Sequence, residues 1–132
     1  MTTRRQFISQ AAIMGLVTSI ADPVHEPLKK STLVHHVFFW LKNAGSEVDR
    51  DQLITGLRNL KQIESVVALH VGIPASTAKR EVVDSSYDVS ELIFFEDVAG
   101  QDRYQVDPIH TKFIDDCSHL WEKVVVYDSI SV

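Results

Sequence analysis

Residues 32–42 read Thr-Leu-Val-His-His-Val-Phe-Phe-Trp-Leu-Lys. The stretch is rich in β-branched and aromatic side chains and holds no glycine or proline, which specifies a strand. It is apolar almost without interruption, so the strand expects cover on both of its faces. Immediately after it, Asn43-Ala44-Gly45-Ser46 reads as a turn. From Val48 the pattern changes: Leu53, Leu57 and Leu60 recur at steps of four and three, with Ile54 beside them and Arg58, Asn59, Lys61 and Gln62 on the other side. That is an amphipathic helix, with Ser46 or Asp49 as its cap. Gly56 sits inside it at a cost of about 1 kcal/mol relative to alanine.

Further along, residues 66–73 form a second apolar, β-branched strand ending at Gly72 and Pro74, and residues 75–86 form a polar loop. Residues 87–95 are a third strand closed by Glu96-Asp97, and residues 98–104 suit a short helix. Asp107-Pro108 starts the next helix, with aspartate as the cap and proline in the first turn. Ile109, Phe113, Ile114, Cys117, Leu120 and Trp121 form its apolar stripe. Residues 123–131 are a strand by composition. The order strand, helix, strand, strand, helix, strand is the split, ferredoxin-like α+β arrangement: a four-stranded antiparallel sheet with helices on one face. Helices on one side leave the other side of an apolar sheet bare. A second copy of the chain is the economical cover, giving a homodimeric α/β barrel whose paired sheets enclose a chamber.

The chain has 132 residues, 45% apolar and 23% charged, which suits one globular domain. The 13 Lys+Arg against 18 Asp+Glu give a formal charge of −5. Without a basic stripe the domain lacks the footprint that phosphate backbones require, so nucleic acid is excluded as a partner. One cysteine, Cys117, makes no intrachain disulfide and reads as an inert buried thiol. His25, His70 and His119 lack companions at metal-ligand spacing, so no metal site is expected. There is no glycine-rich phosphate loop and no nucleophile elbow, and no cofactor is implied.

The first 21 residues have the order of an export signal. Arg4-Arg5, one polar residue and Phe7-Ile8 resemble the twin-arginine signal of bacteria. An apolar stretch from Ala11 to Val17 follows, and Ser19-Ile20-Ala21 offers small residues where a signal peptidase reads. The stretch is short of the roughly 20 residues that span a bilayer, so no stable membrane anchor is expected. Cleavage after Ala21 takes the formal charge from −5 to −7 and leaves a periplasmic or extracellular protein. Residues 22–32 read as a linker, and the domain occupies residues 33–132.

Three stretches together resemble the stress-responsive A/B barrel (Dabb) family. They are His35-His36-Val37-Phe38-Phe39-Trp40-Leu41-Lys42, similar to its opening strand; Phe95-Glu96-Asp97-Val98 with Tyr104-x-x-x-Pro108-x-His110; and the closing Val124-Val125-Val126-Tyr127-Asp128. The resemblance implies a dimeric barrel with a ligand-sized cavity. In the family's plant polyketide cyclases the histidine of the Pro-x-His element acts as a base and the preceding tyrosine assists it. His110 and Tyr104 match that pair, and His35 matches the first-strand histidine. The cyclases' third-strand histidine is replaced here by Val89, a departure from their pattern.

At the start of a helix, His110 titrates near neutrality and is suited to taking a proton from carbon beside a carbonyl. Tyr104 offers a phenolic donor to the developing oxyanion. His35 and His36 are strand neighbours whose side chains oppose each other, so they cannot chelate one metal. One faces the cavity and the other the helices, and the resemblance assigns the cavity to His35, on the face of Leu33, Val37, Phe39 and Leu41. Glu91 shares a parity with Val89, and a carboxylate among apolar neighbours needs a partner or its pKa rises. The expected function is to bind a hydrophobic small molecule in the cavity, at His35, Phe39, Val89 and Glu91, with cyclase- or isomerase-like chemistry by His110 and Tyr104. The rivals are a non-catalytic stress or structural dimer with a filled cavity, and a haem-degrading monooxygenase.

Overall fold

The computed structural model describes residues 28–132, so the expected signal segment and most of the linker lie outside the described residues. Strand β1 (Leu33–Leu41) is followed by helix α1 (Glu47–Asn59), which ends in a 3₁₀ turn (Leu60–Gln62). Strands β2 (Ala68–Gly72) and β3 (Val89–Phe95) come next, then helices α2 (Val98–Val106) and α3 (Pro108–Cys117). A second 3₁₀ turn (Ser118–Leu120) leads into β4 (Trp121–Ile130). The strands form one antiparallel sheet in the order β2-β3-β1-β4. This is the ferredoxin-like α+β fold.

Local chemistry starts each helix. Ser46 Oγ accepts from Asp49 N at 3.1 Å, so the serine is the cap of α1. Gly45, at φ +85°, supplies the left-handed residue that the preceding turn needs. Asp97 Oδ1 caps α2 through Gly100 N, and Asp107 Oδ1 caps α3 through Ile109 N, with Pro108 in its first turn.

Burial alternates along β1. Leu33, His35, Val37, Phe39 and Leu41 are buried, whereas Val34, His36, Phe38 and Trp40 are half-buried. The register sets Leu33 beside Phe95, His35 beside Ile93 and Val37 beside Glu91, so these residues share one face. The core lies between that face and Leu53, Leu57, Leu60, Tyr104, Phe113, Cys117 and Leu120 of the helical layer. Gly56 is a packing requirement as well as a helix cost. A Cβ there would meet Cys117 Sγ at 2.9 Å and Phe113 at 3.1 Å, so glycine is what lets α1 and α3 approach this closely.

The other face presents Val34, Phe38 and Trp40 of β1, Leu92 and Phe94 of β3, and Val125 and Tyr127 of β4, with His36 and His70 among them. Phe38 meets Tyr87 and Tyr127 edge-on at centroid distances of 4.9 and 6.0 Å, and Lys123 Nζ lies 4.6 Å over the Trp40 ring. No described helix packs on this side. Among the described residues none of the helices is long and apolar enough to cross a membrane.

Candidate functional site

The hollow that gathers the chemistry lies within one chain, between the sheet and α2–α3. It holds about 160 Å³ and is bordered by His35, Val37 and Phe39 of β1, Glu91 of β3, Tyr104 and Gln105 of α2, and His110 and Phe113 of α3. Trp121, Val124 and Val126 of β4 form its outer wall. This corrects the expectation that His35 faces a chamber on the side away from the helices. His35 shares the helix-covered face, and it is His36 that lies on the open one. A larger space of about 440 Å³ lies beside Ser31, Val67 and Glu96. None of the buried polar side chains, which are His35, Ser90 and Glu91, borders it.

Glu91 is placed by β3 directly opposite Val37 and Val71, and only 2% of it is exposed. Its Oε2 accepts a hydrogen bond from the Tyr104 hydroxyl at 3.2 Å. The partner that a carboxylate among apolar neighbours needs is a phenol supplied by α2. Burial pushes the carboxyl up to about 8, against the opposing pull of the Tyr104 hydrogen bond. Glu91 is therefore mostly protonated at neutral pH. The same burial, with Glu91 beside it, raises the Tyr104 phenol well above its ordinary range.

His110 packs against Tyr104, with ring centroids 4.5 Å apart and planes 48° apart. Its Nδ1 lies 3.2 Å from the Gln105 carbonyl oxygen. A carbonyl only accepts, so Nδ1 carries the proton, and the neutral ring then has its lone pair on Nε2. Burial lowers the His110 pKa, with the Gln105 hydrogen bond acting in the opposite direction. The ring is thus an unprotonated base at neutral pH. His35 also borders the hollow, its ring 5.8 Å from that of Tyr104, and its Nδ1 is 2.6 Å from Asp128 Oδ1.

The fold thus brings His110, Tyr104, His35, Glu91 and Phe39 to one hollow. Val89 is fully buried in the core and does not border it. Asp128 was not singled out as a site residue in the sequence. Its role depends on the β1–β4 register, which sets it directly opposite His35. The hollow is smaller than the few hundred Å³ usual for ligand sites and close to the size that accepts one benzene ring. No lysine or arginine is among the described residues that border it. Cys117 is buried apart from the hollow, and burial raises its thiol pKa. Among the described residues no three His, Cys, Asp or Glu side chains gather closely enough to hold a metal ion.

Residues 33–131 match the stress responsive A/B barrel domain, Dabb. Among solved structures, a Dabb family protein with a ferredoxin-like fold from Mesorhizobium loti superposes with a TM-score of 0.62 at 22% identity, covering 76% of this chain and 97% of that one. The hydroxynitrile lyase from Passiflora edulis gives a TM-score of 0.66 at 23% identity, with 79% and 96% covered. A dimeric ferredoxin-like protein of unknown function from Thermobifida fusca gives 0.64 at 18% identity, with 81% and 99% covered. At these identities the likeness is one of fold. No curated protein matches the chain.

Proposed function

The chain belongs to the stress responsive A/B barrel domain family, and from that premise we propose that it binds a small neutral molecule in the hollow and moves a proton on it. The observation that carries the proposal is the packing of His110 against Tyr104, whose hydroxyl is bonded to a buried Glu91. His110 Nε2 takes a proton from carbon beside a carbonyl. Protonated Glu91 can donate to the Tyr104 oxygen, which frees the phenolic hydrogen to bond the substrate oxygen as negative charge develops there. Return of the proton to another carbon, or attack of the enolate carbon on a second carbonyl, gives isomerisation or cyclisation. Among the described residues no lysine or arginine borders the hollow, which favours a neutral ligand over a carboxylate, and the volume suits a single ring. A tetrapyrrole does not fit within it, which weighs against haem degradation.

The working unit in this proposal is a homodimer. Its support is the uncovered apolar face around Phe38 and Trp40 together with the dimeric state described for the Thermobifida fusca neighbour. The proposal also includes export, on the strength of the arginine pair and apolar stretch at residues 4–17.

Deuterium exchange into the methylene of phenylacetone in D2O, followed by proton NMR, tests the chemistry. The expected result is exchange faster than buffer that falls to background in His110→Ala. Equal exchange by wild type and His110→Ala overturns the assignment of His110, and no acceleration by wild type overturns the catalytic reading.

A further inference from the structure

Asp128 and His35 are direct cross-strand partners on β4 and β1, and their side chains meet at 2.6 Å between Oδ1 and Nδ1. The carboxyl of Asp128 is half-exposed at the sheet edge while the ring of His35 is buried against the hollow. With Nδ1–H donated to Asp128, Nε2, across the ring, is the nitrogen left to meet a ligand. Among the described residues no hydrogen bond to this nitrogen is formed. His110 is pinned in the same way, its Nδ1–H donated to the Gln105 carbonyl. Two rings, each with Nδ1 engaged and Nε2 left over, thus border the hollow against Tyr104, whose own hydroxyl is engaged with Glu91.

We infer that Asp128 is a positioning residue that fixes His35 as a second acceptor in the site, and that the ligand it selects is a neutral single-ring molecule bearing a hydroxyl, a phenol or an enol. The inference rests on the proposed ligand hollow and goes beyond it, since neither Asp128 nor the donor requirement follows from the His110–Tyr104 pair. The hydroxyl completes the Nε2 atom of His35 and the ring lies in the hollow against the Phe113, Trp121 and Val126 side chains that border it. A methyl ether of the same size leaves that nitrogen unpaired in a desolvated place, a loss on the order of tenfold in affinity.

The test is NMR titration of the full chain, labelled with 15N, with phenol, anisole and benzoate, following the histidine ring nitrogens. In the free protein the His35 signals are expected to show a protonated Nδ1 and a lone-pair Nε2, a reading that needs no variant. Phenol is expected to bind about tenfold more tightly than anisole, with benzoate weaker than both. Asp128→Ala is expected to move the His35 proton to Nε2 and abolish the phenol preference while anisole binding stays unchanged. Asp128→Asn keeps an acceptor oxygen and is expected to retain both. Equal affinities for phenol and anisole in wild type, or a preference that survives Asp128→Ala, overturn this inference and leave the hollow as a ligand site. If neither ring compound perturbs residues of the hollow, the proposed ligand site itself fails, and this inference fails with it.

Discussion

Replacing Glu91 with glutamine removes a titration that folding otherwise carries. The buried carboxyl holds its proton up to about pH 8 in the native chain, against an ordinary value of 4.5 in the unfolded one. Between those values the native state binds a proton that the unfolded state has released. Stability from this group is thus fully present below about pH 4.5 and is lost as pH rises through the window to about 8. At about 1.4 kcal/mol per pH unit, the whole window amounts to about 5 kcal/mol, of which about 2–3 kcal/mol falls between pH 5 and 7. His110 works the other way, because its depressed pKa means that stability is lost as pH falls below the ordinary histidine range. Comparing Glu91→Gln with wild type cancels that contribution. The glutamine amide oxygen can still accept from the Tyr104 hydroxyl, so the packing stays close to native. Urea unfolding of both proteins at fixed protein concentration, at pH 5 to 9, is the assay. The stability of the variant relative to wild type is expected to grow by about 2–3 kcal/mol from pH 5 to 7 and to level off above pH 8. Parallel pH profiles for the two proteins would refute the claim that Glu91 is buried as a neutral acid.

Gly56→Ala tests the contact of α1 with α3: helix propensity gains about 1 kcal/mol, but a Cβ 2.9 Å from Cys117 Sγ brings an overpacking cost of about 1–3 kcal/mol. A net loss of stability is expected on thermal unfolding, and a net gain would mean that the helices part freely. Phe38→Glu places a charge at the centre of the open sheet face; analytical ultracentrifugation is expected to show monomer where wild type is dimer, with the helical circular dichroism retained. Tyr104→Phe is expected to lower phenylacetone exchange by about tenfold or more through loss of the hydrogen bond to the oxyanion, and unchanged exchange would remove the tyrosine from the chemistry. Changing Arg4 and Arg5 together to lysine is expected to hold the chain in the cytoplasm on cell fractionation, and unchanged export would dissociate the arginine pair from the signal.

What was legible in the sequence is what local chemistry decides. Residues 32–42 could only be a strand, the Ser46 and Asp107-Pro108 starts act within a turn of their own helices, and period and order together give the ferredoxin-like sheet. The Tyr104 to His110 spacing survives because both residues flank one short helix junction. What depends on long-range register was not legible. Nothing near Asp128 in the chain marks it as opposite His35, 93 residues away. Glu91 announced a need for a partner without saying that α2 would bring a phenol over it. The side of the sheet that holds the hollow is not legible for a similar reason. Both faces of β1 are apolar, so alternation alone cannot say which one the helices cover, and His35 and His36 look alike until the sheet is assembled.

Where a small ring binds tests the inner hollow as the ligand site most directly. A crystal structure of the full chain soaked with phenol measures it. The expected result is density for the ring between Tyr104, His110 and Trp121 inside one chain, with its hydroxyl at hydrogen-bond distance from an imidazole Nε2. A ring lying instead between the sheets of two copies, beside Phe38 and His36, with the inner hollow closed by its own side chains, would contradict it.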